Sequence, residues 1–178
     1  NGDTGAYVRT TLKAMVLFGV PPEEYWPYSI GEFDAEPSAF CYAFAQSYQT
    51  ISYVRLDPPN TDASALLSRV KRLLACGYPS AFGFTVYRSI SEASTTGETP
   101  FPTGDDSAAG GHAVVAVGYD DAKKIGDQKG ALLIRNSWGT GWGQAGYGWL
   151  PDAYSETGLA RDFWTVLKQE WVDSKRFD

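Results

Sequence analysis

Histidine and cysteine are scarce in this sequence, which has one histidine, His112, and two cysteines, Cys41 and Cys76. A single histidine excludes any metal site that needs several imidazole ligands. Two cysteines are too few for a disulfide framework, and their spacing is not that of a metal site. The sequence leaves open whether the two cysteines pair with each other. We predict no bound metal and no cofactor.

Excess positive charge and long apolar runs are also lacking. The net charge is −6 at pH 7, so no electrostatic attraction favours binding to nucleic acid or to an anionic membrane. No apolar run approaches the roughly 20 residues that a membrane-spanning helix needs. We therefore predict neither nucleic acid nor a membrane among the partners. The chain does have 43% hydrophobic and 15% aromatic residues, which favours a globular domain with a β-containing core.

The pattern of apolar residues predicts helices early in the chain and strands later. Helices are expected at three places: 6–18, 38–46 and 62–75. Strands are expected at six: 50–56, 82–87, 113–119, 130–136, 147–150 and 163–167. A stretch rich in Ser, Thr and Gly predicts a long loop over 91–110. This order favours an α+β fold whose antiparallel sheet closes into a barrel-like layer.

Two short segments have the composition of a catalytic site. Residues 110–114, Gly-Gly-His-Ala-Val, place a histidine at the mouth of an apolar strand. Residues 135–143, Arg-Asn-Ser-Trp-Gly-Thr-Gly-Trp-Gly, combine glycines that permit tight bends with two tryptophans too large to be casual surface residues. A catalytic imidazole needs a partner that fixes its ring and its tautomer, and a carboxamide does so without adding charge. His112 is the only candidate for such a base, and Asn136 can supply the carboxamide, although a lone histidine beside a strand is usually a structural residue.

These segments, in this order, resemble those of the papain family of cysteine peptidases. The gap between His112 and Asn136 is 136 − 112 = 24 positions, with a polar hairpin expected between them. Further matches are Gly-Ala-Tyr at 5–7, Tyr-Trp-Pro-Tyr at 25–28 and Phe-Trp-Thr-Val at 163–166. The resemblance covers nearly the whole chain and is strongest to prokaryotic members.

The resemblance implies a division into two parts and a set of site residues, with His112 as the catalytic base and Asn136 as the residue that orients it. Residues 1–37 would be the remainder of the helical lobe, and 38–178 a β-rich lobe carrying the histidine and the asparagine. Trp138 would shield the bond between His112 and Asn136, and Trp142 would lie on the leaving-group side of the cleft. The residues implied to contact a peptide or protein substrate are Gly5, Ala6, Tyr7, Gly83, Gly111 and Ala113. Of these, Gly83 and Ala113 would shape a roomy apolar specificity pocket, since both are small.

The nucleophilic cysteine is the part of the pattern that the sequence lacks. In papain-like enzymes it stands roughly 130–150 residues before the histidine and the asparagine. Cys41 is only 112 − 41 = 71 residues before His112, and it follows the groove-lining segment instead of preceding it. Cys76 ends a predicted helix and is interpreted as a structural thiol. We expect the nucleophile on an N-terminal segment, or on a separate chain, of the same peptidase.

Two other functions stay open from the sequence. Without a nucleophile, the chain could be an inactive papain-like protein that binds or stores. The same cysteine, histidine and asparagine set also serves acyl transfer to an acceptor other than water.

Overall fold

The computed structural model describes residues 5–171. Within these residues the chain forms two compact units: the first comprises 5–54 and 166–171, and the second comprises Arg55–Thr165. The predicted division at residue 37 refers to the lobes of the family fold and stays a prediction.

Helices and strands are distributed over both units. The α-helices between residues 5 and 171 are α1 (Val8–Leu17), α2 (Ala39–Ala45), α3 (Ala63–Ala75), α4 (Ile90–Thr96) and α5 (Ala153–Glu156), with a short 3-10 turn at Ile30–Glu32. The strands are β1 (Tyr48–Arg55), β2 (Ser80–Tyr87), β3 (Ala108–Ile125), β4 (Gln128–Arg135), β5 (Tyr147–Pro151) and β6 (Ala160–Trp171). The predicted α+β class is confirmed.

The described strands form one sheet in the order β1-β6-β2-β3-β4-β5. The pairings of β2 with β6 and β3, and of β4 with β3 and β5, are all antiparallel. The antiparallel sheet is therefore confirmed, but it is open between its two end strands and does not close into the barrel-like layer that we expected. A bulge between Val86 and Tyr87 shifts the register near the end of β2.

The first unit contains α1, α2 and an aromatic cluster of Tyr25, Phe40, Phe44 and Tyr48. Ser38 caps α2, because its hydroxyl accepts a hydrogen bond from the backbone N–H of Cys41 at 3.3 Å. Gly19 ends the first helical segment with φ +75°, and a Cβ there would lie 1.8 Å from the carbonyl oxygen of Ala45. Only glycine allows the backbone to pass so close to α2 at this point.

The second unit has its own hydrophobic core. Asp62 caps α3 by accepting hydrogen bonds from the backbone N–H groups of Ser64 and Ala65. The buried stripe of α3 then packs against β3 and α5. The largest buried members of this core include Phe82, Ile134, Leu150, Tyr154 and Phe163. This packed unit is the support on which the predicted histidine and asparagine stand.

The expected loop over 91–110 is partly wrong, because α4 occupies Ile90–Thr96 and β3 begins at Ala108. The segment lacks an apolar stripe, and the helix instead rests on one fully buried small residue, Ala93. Gly97 ends α4 in the left-handed region at φ +73°. Composition alone favoured a loop here, since Ser and Thr compete with helical hydrogen bonds.

Two features of residues 5–171 bear on other classes of function. No helix there is both long and apolar enough to cross a membrane. The same stretch brings together no cluster of three or more histidine, cysteine or acidic side chains that could hold a metal ion.

Candidate active site

His112 lies on β3, where that strand pairs with β2. Its Cα partner is Phe84, and the next pair along the strands is Gly83 with Ala113. Successive residues of a strand point to opposite faces, so His112 shares a face with Phe84, while Gly83 and Ala113 share the other. The face of Phe84 is the buried one, and His112 is half-buried at its edge. The imidazole therefore lies between the core and the surface.

A short hydrogen bond joins the two predicted catalytic residues. Nε2 of His112 lies 2.8 Å from Oδ1 of Asn136. The backbone N–H of Ser137 also donates to this Oδ1, at 2.7 Å. Because a backbone N–H only donates, the amide atom at this point is the oxygen, and the imidazole nitrogen that meets it must carry the hydrogen. The proton on Nε2 leaves Nδ1 as the nitrogen that takes up or gives a proton.

Asn136 is positioned by the end of β4 and by a closed loop. It follows the last residue of β4, Arg135, and its backbone N–H donates to the carbonyl of Gly146 at 2.9 Å. Residues 136–146 thus form a loop whose two ends are joined by this backbone hydrogen bond. The loop carries both predicted tryptophans.

Trp138 stacks on the imidazole of His112. Their ring centroids are 4.5 Å apart with an interplanar angle of 23°, although 48% of Trp138 is exposed. The indole covers one face of the imidazole and keeps water from it. Shielding of this kind strengthens the hydrogen bond to Asn136, because the bond acts in a less polar medium.

Trp142 lies under Trp138 and is only 6% exposed. The two indoles meet edge to face, with centroids 5.8 Å apart and an interplanar angle of 85°. Gly148 makes room for Trp142, since a Cβ at Gly148 would lie 2.7 Å from Cη2 of the indole and 2.8 Å from the carbonyl oxygen of Gly97. Trp142 therefore supports Trp138 from the core side, in space that Gly148 leaves open.

Phe84 was not singled out in the sequence. Its ring centroid is 6.0 Å from that of His112, with an interplanar angle of 66°. The apolar strand over 82–87 predicted a buried side chain there, but no motif marks which residue faces the histidine. Only the register between β2 and β3 shows it.

Gly83, Gly111 and Ala113 lie beside His112 as the pairing of β2 with β3 requires. Ala113 and Gly111 are exposed and Gly83 is half-buried. A Cβ at Gly83 would meet no atom nearer than 3.8 Å, so packing within the second unit does not demand glycine. Space for a substrate side chain stays a prediction for this face of the sheet.

Gly5, Ala6 and Tyr7 belong to the first unit, at the start of α1. All three are exposed, and 81% of Tyr7 is accessible. Gly5 has φ +72°, a backbone conformation in which a residue with a side chain would be strained. Their predicted contact with substrate stays a prediction.

Both cysteines are free thiols in the structure, Cys41 buried and Cys76 exposed. Cys41 sits in the seven-residue helix α2, and its thiol donates to the carbonyl of Tyr25 at 3.4 Å. Cys76 ends α3, where its backbone N–H caps the helix.

Comparison with known proteins gives these contacts a context. A sequence profile described as papain family cysteine protease matches residues 1–166. The chain belongs to the papain family of cysteine proteases. The resemblance drawn from residues 5–7, 110–114 and 135–143 is thereby confirmed at the level of the family.

Named relatives of this papain-family chain include a viral and a bacterial protein. A peptidase C1-like protein of Acanthamoeba polyphaga mimivirus is 34% identical over 175 residues, 96% of this chain and 54% of the relative. The crystal structure of xylellain, a cysteine protease from Xylella fastidiosa, has a TM-score of 0.75 and 36% identity, covering 97% of this chain and 64% of that one.

More distant members of the family share the fold alone. The bromelain protease from Ananas comosus, solved in complex with the E64 inhibitor, is 22% identical with a TM-score of 0.61, covering 92% of this chain and 71% of that one. The 178 residues span about half the length of the curated relatives they match, 54%, 44% and 42% for three of them.

Proposed function

We propose that this chain supplies the base and its orienting partner, His112 and Asn136, to a cysteine peptidase. The nucleophilic thiolate would come from a segment or chain of the same peptidase that these 178 residues do not include. The observation that supports this most is the 2.8 Å hydrogen bond from Nε2 of His112 to an amide oxygen that the N–H of Ser137 also holds.

This geometry suits activation of a thiol better than a purely structural role. A thiol is a strong nucleophile only as the thiolate, and an imidazolium beside it stabilises that anion. The oxygen of Asn136 fixes Nε2 as a donor, and among the described residues Nδ1 makes no hydrogen bond. Nδ1 is thus available to take the thiol proton, while the stacked Trp138 excludes water from one face of the ring.

The proposed reaction has two steps, acylation of the thiolate and hydrolysis of the thioester. The thiolate sulfur bonds to the carbonyl carbon of the substrate, the C–N bond breaks, and the imidazolium of His112 gives its Nδ1 proton to the leaving amine. Water then attacks the thioester as Nδ1 takes one of its protons, the C–S bond breaks, and a carboxylic acid leaves. The thiolate and the imidazolium remain for the next cycle.

The proposed substrate is a peptide or a protein. Its main chain would run beside residues 5–7, and one side chain would enter a pocket shaped by Gly83 and Ala113. Since both residues are small, the pocket would prefer bulky apolar side chains. Cleavage of a peptide panel that shows preference for Gly or Asp at that position would contradict this part.

Capture by a peptide epoxide tests the proposal in the intact protein, with every residue outside these 178 included. The thiolate opens the epoxide, so that an S–C bond forms and a C–O bond breaks, and the alkoxide takes the proton of His112. We expect one covalent adduct per site, on a cysteine other than Cys41 or Cys76. Capture on either of these two, or equal capture by the His112→Gln variant, would contradict the proposal.

A second candidate is a papain-like protein that binds without catalysis. It is favoured by the observation that no cysteine of these 178 residues stands roughly 130–150 positions before His112, where a papain-like nucleophile is expected. In that case the intact protein would bind peptides but resist the epoxide, and His112→Gln would leave binding unchanged.

A further inference from the structure

Phe84 touches the imidazole of His112, yet no role follows for it from the motifs. It is the Cα partner of His112 across β2 and β3, and only 4% of it is exposed. The two ring centroids are 6.0 Å apart at an interplanar angle of 66°. Edge-to-face ring pairs attract each other as well as fill space. The tilt of the imidazole therefore depends on where the ring of Phe84 lies.

Phe84 is itself held by a second buried ring, that of Tyr154. Their centroids are 5.9 Å apart at 80°, and Tyr154 is 1% exposed. The hydroxyl of Tyr154 donates to the carbonyl of Pro100 at 2.8 Å. Burial raises the pKa of Tyr154, so the hydroxyl keeps its proton and this bond persists at high pH. Phe84 cannot move away from the imidazole without displacing an anchored side chain.

The contacts of the imidazole restrict different motions. Trp138 stacks at an interplanar angle of 23° and limits tilting out of the ring plane. The bond from Nε2 to Asn136 limits rotation within that plane. The inclined ring of Phe84 limits sliding of the imidazole along the indole. Without Phe84, the stack and the hydrogen bond still leave this third motion open.

We infer that Phe84 is a positioning residue, whose ring fixes the imidazole of His112 so that Nδ1 faces the incoming thiol. Its kinetic consequence rests on the peptidase function proposed above. The orientation of the imidazole by Phe84 does not rest on it, and can be measured separately.

The test compares Phe84→Leu with Phe163→Leu in the intact protein. Phe163 is a matched control, since it is fully buried in the same core and stacks on Phe82 at 4.4 Å. We expect Phe84→Leu to lower the epoxide capture rate at saturation about tenfold, because small misplacements of a catalytic group are costly. The epoxide concentration for half-maximal rate should not change. Phe163→Leu should stay within about twofold of the wild type, since Phe163 reaches Phe84 through the ring of Phe82 and its replacement removes no ring beside His112.

A spectroscopic readout separates positioning from catalysis. Ring currents of Phe84 and Trp138 shift the NMR signals of the His112 ring protons, which are assigned as the signals lost in His112→Gln. We expect Phe84→Leu to move these signals and Phe163→Leu to leave them in place. Equal slowing of capture in both leucine variants, or unmoved His112 signals in Phe84→Leu, would overturn the inference. If the wild type resists the epoxide altogether, the peptidase proposal fails, while the NMR comparison still decides whether Phe84 orients the imidazole.

Discussion

His112 and Lys71 each contact a side-chain oxygen of a residue far along the chain, but their surroundings differ. His112 meets a neutral amide, and one of its ring nitrogens has no hydrogen bond from the described residues. Lys71, on α3, binds two carboxylates, those of Asp121 and Asp152, and 15% of its side chain is exposed. The contact of His112 with Asn136 leaves Nδ1 available for a reaction. The charge of Lys71, in contrast, is neutralised by carboxylates within the fold.

The ion pair of Lys71 and Asp152 carries a desolvation cost, because both charges are largely buried. Burial raises the pKa of the Asp152 carboxyl, although Lys71 lies beside it. Gly130 brings the backbone against this carboxylate, because a Cβ there would lie 2.3 Å from Oδ2 of Asp152. Removing one member of such a pair leaves the other charged and uncompensated. An ion pair of this kind contributes to the stability of the fold. The pair of His112 and Asn136, in contrast, is positioned by a fold that other contacts stabilise.

Replacing His112 in the intact protein has the largest expected effect. His112→Gln removes the base, and the rate of epoxide capture should fall about 10³-fold, within the range for general acid–base catalysis. The residue is half-buried at the edge of the core, so the free energy of unfolding should change little. Parallel measurements of capture rate and urea unfolding check both halves. A large loss of stability would place His112 with Lys71, as a structural residue.

Replacing Lys71 should have the opposite profile. Lys71→Met should lower the free energy of unfolding by about 3 kcal/mol, the lower end for a broken buried pair, because Asp152 can take up a proton. The capture rate at a temperature where the variant is folded should match the wild type. The double variant Lys71→Met, Asp152→Asn is the control and should recover part of the loss, since the buried charge is gone.

The pH dependence gives the same contrast for Lys71. Burial lowers the pKa of Lys71, but hydrogen bonds and charges from Asp121 and Asp152 outweigh it, so the pKa lies above its ordinary value of 10.5. A raised lysine pKa stabilises the fold fully below 10.5, and this contribution disappears as the pH rises through the folded value. The difference in unfolding free energy between wild type and Lys71→Met should therefore shrink in that alkaline range. A constant difference would show that the ion pair is not its source.

Asn136→Ala is expected to slow capture about a hundredfold, the cost of a misaligned catalytic group. The base remains, but nothing fixes its tautomer. In the NMR spectrum the His112 ring signals should broaden or move. Asn136→Gln is the matched control, since it keeps the amide but displaces the oxygen, and it should recover little of the rate. Full activity in Asn136→Ala would refute the orienting role.

Gly148→Ala is expected to have the smallest effect and to touch both properties. Its Cβ would overlap the indole of Trp142 and the carbonyl of Gly97, and overpacking of this kind costs about 1–3 kcal/mol. Displacing Trp142 should also shift Trp138 and alter tryptophan fluorescence. Gly111→Ala is the control, because its Cβ would meet nothing within 4 Å. Equal stability loss in both variants would contradict the packing argument.

The sequence predicted local features better than contacts between distant elements. The motifs around His112 and Asn136 predicted that these two side chains meet, and the apolar patterns located most strands to within a few residues. The contact of Phe84 with His112 depends on strand register, and that of Lys71 with Asp152 joins residues 81 positions apart. Neither leaves a local trace. Helix α4 was not predicted because its sequence has no apolar stripe. The open sheet was not predicted because the alternation of residues in strands does not specify whether a sheet closes.

Residues 136–146 leave the sheet and return to it at a single backbone hydrogen bond, between Asn136 and Gly146. Compact loops whose ends lie close together are frequently functional. The orienting amide of Asn136 and the indoles of Trp138 and Trp142 therefore lie on one continuous segment of the chain. Grafting this piece between relatives would replace the whole cover of the imidazole while leaving every strand pairing intact.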